Sequence, residues 1–107
     1  MPYYLIQASY THDAWTTLLK NPQNRTEGVR TLVEGLGGTF HGLYHAFGEH
    51  DIIGLVEAPD DQTAAAISLS LAAPGHLKDI KTTVLLTPEE LTTVLGRAGA
   101  QTYQAPR

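Results

Sequence analysis

A small α+β fold, ordered βαββαβ with one further helix, is what this 107-residue sequence predicts. Three observations point there. Short stretches of β-branched and aromatic residues occur in four places. Stretches with apolar residues three and four apart fall between and after them. Gly, Pro, Asn or Asp stands at most of the junctions.

The elements follow in chain order. "YYLIQASY", residues 3–10, reads as a strand with Tyr4, Ile6, Ala8 and Tyr10 on one face and Tyr3, Leu5, Gln7 and Ser9 on the other. Thr11 is suited to cap a short helix that has Asp13 in its first turn and Trp15, Leu18 and Leu19 at helical spacing. Asn21-Pro22 breaks it, because proline cannot continue a helix. A second helix starts near Arg25 and carries the stripe Val29, Leu32, Val33 and Leu36, until Gly37-Gly38 ends it. Strands over 39–46 and 51–57 flank a turn at 47–50. Pro59 stops the second of these, and Asp60 caps a helix over "DQTAAAISLSLAA" that ends at Pro74-Gly75. A fourth strand covers 77–86. Thr87-Pro88-Glu89-Glu90 is a capping box with proline at the first helical position, and it opens a helix whose stripe is Leu91, Val94 and Leu95. We expect that stripe to pack on the fold or on a neighbour, since an isolated helix this short is marginal in water. Residues 98–107 read as a tail and residues 1–97 as a single domain.

This order is the split-βαβ, ferredoxin-like arrangement, an antiparallel sheet with helices on one face. Its other face needs a cover. Leu43, Ile52 or Ile53, Leu55 and Val84 cannot all point at the helices if the strands alternate. A second copy of the chain is therefore expected over part of the open face, as a homodimer or higher homo-oligomer.

Composition narrows the functional classes. The net charge is −4 with no basic patch, which argues against nucleic acid. The chain has no cysteine, which removes thiolate nucleophiles and cysteine-ligated zinc. No stretch approaches the roughly 20 apolar residues of a membrane span, and "MPYYLIQASY" has no signal-peptide pattern, so a cytoplasmic location is expected. No phosphate loop or cofactor fingerprint is present, and no cofactor is assigned. Gly37-Gly38 lacks the strand-Gly-helix context of a nucleotide loop.

The densest group of function-capable residues lies on the second strand and its turn: His41, Tyr44, His45, His50 and Asp51. His41 and His45 are too far apart for one metal ion, some 13 Å at about 3.3 Å per residue. His45 and His50 would meet across a two-residue turn, with Glu49 or Asp51 as a carboxylate ligand, whereas a four-residue turn would separate them. As catalytic candidates His50 and Asp51 would form an acid–base pair, since imidazole titrates near neutral pH. The competing reading of Asp51 is a carboxylate that accepts hydrogen bonds from its own turn. Strict alternation puts His41 opposite Tyr44, so only one of them can share a cleft with the helices. Tyr10 and Trp15, with Tyr4 and Tyr44, could line that cleft as ligand-binding residues, and Gln7, Ser9 and His41 could supply polar groups. His12 and His76 read as capping or solvent-facing.

From "LGGTFHGLYHAFGEHDIIGLVEAPDDQTAAAISLSLAAPGHLKDIKTTVLLTPEEL", Leu36 to Leu91, the chain resembles the GYD-domain proteins, small bacterial proteins named for a Gly-Tyr-Asp element. The most specific parts are the Gly-Gly pair, the tyrosine of strand two, the Gly-Glu-x-Asp turn and the Glu-Ala-Pro-Asp exit. The name-giving tyrosine is His50 here. The resemblance extends more weakly to the N-terminal strand and helix. It implies a dimeric ferredoxin-like fold, of the dimeric α/β-barrel type, and no general activity. Two readings are carried forward. One is an oligomeric module that binds a small organic molecule. The other, by fold analogy, is a cofactor-independent enzyme acting on a small aromatic or polyketide-like metabolite through His50 and Asp51. A solvated hairpin tip favours the first, and a cleft holding His50 or Asp51 favours the second.

Overall fold

The computed structural model describes residues 1–107. The elements are β1 (Tyr3–Tyr10), α1 (His12–Lys20), α2 (Thr26–Gly35), β2 (Thr39–His45), β3 (Ile52–Glu57), α3 (Asp61–Ala72), β4 (Leu77–Leu85) and α4 (Pro88–Gly99). The four strands form one antiparallel sheet in the order β2-β3-β1-β4. This α+β architecture is consistent with a ferredoxin-like arrangement, with the first crossover split into two helices by Pro22.

Local chemistry sets the boundaries. The Thr11 side chain accepts from Ala14 N–H and the Asp60 side chain from Thr63 N–H, so α1 and α3 begin where those caps stand. At α4 the box is reciprocal: Glu90 N–H donates to Thr87 Oγ1, and Thr87 N–H donates to the Glu90 carboxylate. Gly37 ends α2 with φ +89, a conformation that a side chain resists. Gly38 has a different reason to be glycine. A Cβ there would lie 2.7 Å from the Glu57 carbonyl oxygen, so β2 can enter the sheet beside β3 only without one.

One face of the sheet carries the core. Tyr4, Ile6, Phe40 and Val56 pack against Val33 of α2 and Ala64 and Ile67 of α3. A smaller cluster, Ala8, Tyr10, Ala14 and Ile52, continues the same face toward α1. In α1 the buried residue is Ala14. Trp15 and Leu18 are half-buried, and Leu19, expected on the inner stripe, is 80 % exposed. The opposite face is uncovered in the single chain. Leu5 pairs with Leu55 and Thr83, and Gln7 with Ile53 and Lys81. Ile52 and Leu43 therefore belong to the helix side, and Ile53 and Leu55 to the open side. Val84 pairs with Tyr4 on the helix side but stays exposed at the sheet edge.

Of the two expected settings for the C-terminal helix stripe, the fold or a neighbour, the single chain does not provide the first. Every residue from Pro88 to Arg107 is exposed. Leu91, Val94 and Leu95 are 45 %, 41 % and 61 % exposed. The radius of gyration is 17.3 Å, with extents of 58 × 35 × 21 Å. A compact chain of this length would measure about 13 Å, so α4 stands away from the domain. It also runs to Gly99, into the stretch expected to be tail.

Tyr4 ties the sheet to α3. Its hydroxyl donates to Asp61 Oδ1 at 2.6 Å. That hydrogen bond, then burial, then the charges of Asp61 and Asp60, push its pKa up from 10.0 to about 12. Because the folded value lies above the unfolded one, the stabilisation is fully present below about pH 10 and is lost as pH rises toward 12. Denaturant melts at stepped alkaline pH should therefore show wild type losing stability over this window relative to Tyr4→Phe. Parallel curves for the two proteins would contradict the assignment.

Candidate functional site

The hairpin decides what the sequence-nominated residues can do together. Ala46 N–H donates to the Asp51 carbonyl, so four residues, Phe47 to His50, make the turn, and His45 pairs with Ile52. The longer turn separates His45 from His50, and no group of three His, Asp or Glu side chains converges anywhere in the chain as a metal site would require. His50 is half-exposed in the turn.

A β-bulge corrects the facing of the strand-two residues. Between Phe40↔Val56 and Gly42↔Leu55 strand β2 advances two residues while β3 advances one. The extra residue is His41, and it shifts the alternation by one. His41 and Tyr44 consequently share the open face. His41 Nε2 lies 2.7 Å from Glu57 Oε2, and its ring sits 5.3 Å from the Tyr3 ring. Tyr44 is 66 % exposed and lies back over Gly42, where a Cβ would come within 2.9 Å of its ring. His45 is turned to the helix side, stacked at 6.2 Å on Tyr10, which meets Trp15 edge-on at 4.9 Å. The nominated ligand residues thus divide between two faces of the sheet: His41 and Tyr44 on one, Tyr10, Trp15 and His45 on the other. Tyr4 is core.

Asp51 has a structural partner from outside its own turn. Its Oδ2 accepts from Tyr10 N–H at 3.0 Å, and its own N–H donates to the Ala8 carbonyl at 2.9 Å. The carboxylate continues the β1–β3 ladder past the last strand pair and fixes the end of β1. Ser9 Oγ, 8 % exposed, donates to the Glu49 carbonyl and holds the turn from the other side. Asp51→Ala should lower stability by about 1–2 kcal/mol, the range for a lost charge-assisted bond at a partly exposed position. Asp51→Asn, which keeps an acceptor, should cost less than half of that in chemical denaturation. Equal losses for the two variants would mean the charge, and not the acceptor, is what β1 needs.

Two residues outside the nominated set, Arg25 and His76, stand at the mouth of the cleft between α2, α3 and the sheet, beside Tyr10. His76 follows the turn at Pro74-Gly75 and is half-buried, and its carbonyl accepts from Thr11 N–H. Burial and then the positive charge of Arg25 push its imidazole below the ordinary value. Nothing local in the sequence marks this pairing, because the three residues come from separate parts of the chain.

Comparison with known proteins gives two matches. A model described as the GYD domain matches residues 4–95. A Thermus thermophilus protein named "Glutamine synthetase and cystathionine beta-lyase binding protein" is 33 % identical over 78 residues, which are 73 % of this chain and 82 % of the relative.

Proposed function

The chain belongs to the GYD domain family, and on that premise we propose that it is a homo-oligomeric protein-binding module, with the open sheet face joining two copies and α4 reaching for a partner protein. The observation that carries this reading is the free helix. Leu91, Val94 and Leu95 stand at i, i+3 and i+4, the spacing with which an amphipathic helix enters an apolar groove of another protein. A reciprocal capping box starts α4, yet no other element of its own chain packs on it, so a helix this short is left needing a partner. The name of the Thermus relative supports the class of partner, since that protein is described as binding two metabolic enzymes. The catalytic reading is the weaker one. Asp51 is engaged with the β1 backbone, His50 lies in the exposed turn, and neither lines the interhelix cleft.

The direct test is titration of purified glutamine synthetase and cystathionine β-lyase from the same organism with the full chain and with the double variant Leu91→Asp, Val94→Asp. The wild type is expected to bind at least one enzyme, and the variant to lose that binding by a factor of about 100 or more, as for truncation of a central apolar anchor. The helix of the variant should persist by circular dichroism. Binding by neither enzyme, or equal binding by both chains, would overturn the proposal.

A further inference from the structure

Between α2, α3 and the helix-facing side of the sheet lies a cavity of about 170 Å³. Its inner wall is apolar and includes Ile6, Val33, Val56, Ile67 and Leu71. Apolar cavities of roughly 150 Å³ hold a benzene ring, so there is room for a body of that size.

The mouth is chemically different from the wall. Arg25 precedes α2, and its guanidinium hydrogen-bonds only a neutral side chain, Gln23 Oε1 at 3.0 Å, with no carboxylate in ion-pair range. Gly28 makes room for it, since a Cβ there would stand 3.2 Å from Arg25 Nη2. Tyr10 is 5 % exposed, and its backbone N–H is taken by Asp51. Every polar side-chain atom shut off from solvent has a partner, so the Tyr10 hydroxyl, which pairs with no protein group, keeps access to open space beside the cavity that Tyr10 lines. His76, whose imidazole burial and then the arginine's charge push below the ordinary value, offers a ring N–H. No Asp or Glu lines the cavity. One fixed positive charge and two donors therefore stand at an apolar hole whose own lining has no acidic group, while Asp13 lines the adjoining outer cleft with the same Tyr10, Arg25 and His76 and makes no ion pair with the guanidinium.

We propose that this cleft binds a small monocarboxylate with a compact apolar body, the body in the cavity and the carboxylate on Arg25 with the Tyr10 hydroxyl donating to it. The pairing follows from the planar fork of the guanidinium, which fits a carboxylate edge-on. It stands apart from the protein-binding role, because the cleft and α4 share no residue.

Benzoate and benzyl alcohol, the same ring with and without the charge, are suitable probes, followed by methyl NMR of the full chain. Benzoate is expected to move the methyl signals of Ile6, Val56 and Ile67 in a saturable way and to bind more tightly than the alcohol. Arg25→Gln, at an exposed position that should not disturb folding, is expected to weaken benzoate about tenfold and leave benzyl alcohol unchanged. Val29→Phe, which fills the cavity from α2, should abolish both. The proposal is overturned if millimolar benzoate leaves those methyls unmoved, if the two probes bind alike, or if Arg25→Gln binds benzoate as well as wild type does.

Discussion

Ile67→Ala is expected to cost about 3–4 kcal/mol, in the upper part of the range for removing a buried isoleucine side chain. Ile67 is fully buried on α3 and belongs to the cluster that joins the helices to Tyr4, Ile6, Val33 and Val56. It also lines the cleft cavity, so the new void would merge with an existing one instead of closing by a local shift. Cavity volume that cannot relax is what raises the cost of such substitutions. A domain of this size has a total stability of roughly 5–15 kcal/mol, so the variant should melt about 15–25 °C lower. Leu69, two residues along the same helix and 70 % exposed, is the control. Its alanine variant should fall within about 0.5 kcal/mol of wild type. Guanidinium melts with a common slope would measure both, and an Ile67→Ala loss below about 1 kcal/mol would show that the cluster is not the core of the fold.

Much of this architecture is legible in the residues because it is set locally. Alternation in "YYLIQASY" marks β1 and its buried face, Thr11, Asp60 and Thr87 mark three helix starts, and Gly37 marks a helix end. What escaped the sequence is set by pairing between distant segments. The bulge at His41 exists because Gly42, and not His41, faces Leu55 across the strands. It puts His41 and Tyr44 on one face where strict alternation separates them. The turn length that parts His45 from His50 is likewise fixed by the Ile52 pairing. Asp51 was legible as a structural carboxylate, but its donor is Tyr10, forty-one residues away in the chain. Arg25 and His76 carry no motif at all. They become a pair only when the turn after α3 is brought back to the start of α2. The stripe of α4 is legible as apolar, but a stripe does not say what it faces, and here it faces nothing in its own chain.

Leu55→Lys is expected to leave the domain folded and to break the self-association proposed for the open sheet face. Leu55 lies on the open face, between Leu5 of β1 and Gly42 of β2, beside Ile53 one pair away along β3. All its core-forming neighbours, Ile52, Gly54 and Val56, point the other way. A lysine there can run its methylene stem over the sheet and keep its ammonium in water while the chain is alone. In a symmetric pair the same residue enters the interface twice, and each unpaired buried charge costs about 3–5 kcal/mol. The two together should weaken association by a factor of at least ~10⁴. Sedimentation at micromolar concentration should then find the wild type at a multiple of the 11.6 kDa chain and Leu55→Lys at the single-chain mass. The Leu91→Asp, Val94→Asp variant separates the two surfaces: it should keep the wild-type mass while losing the partner enzyme. A wild type that sediments only as the single chain would remove the oligomer. A Leu55→Lys chain that keeps the wild-type mass would move the contact off the sheet, and loss of mass in the α4 variant would place the helix in the self-contact instead of on a partner.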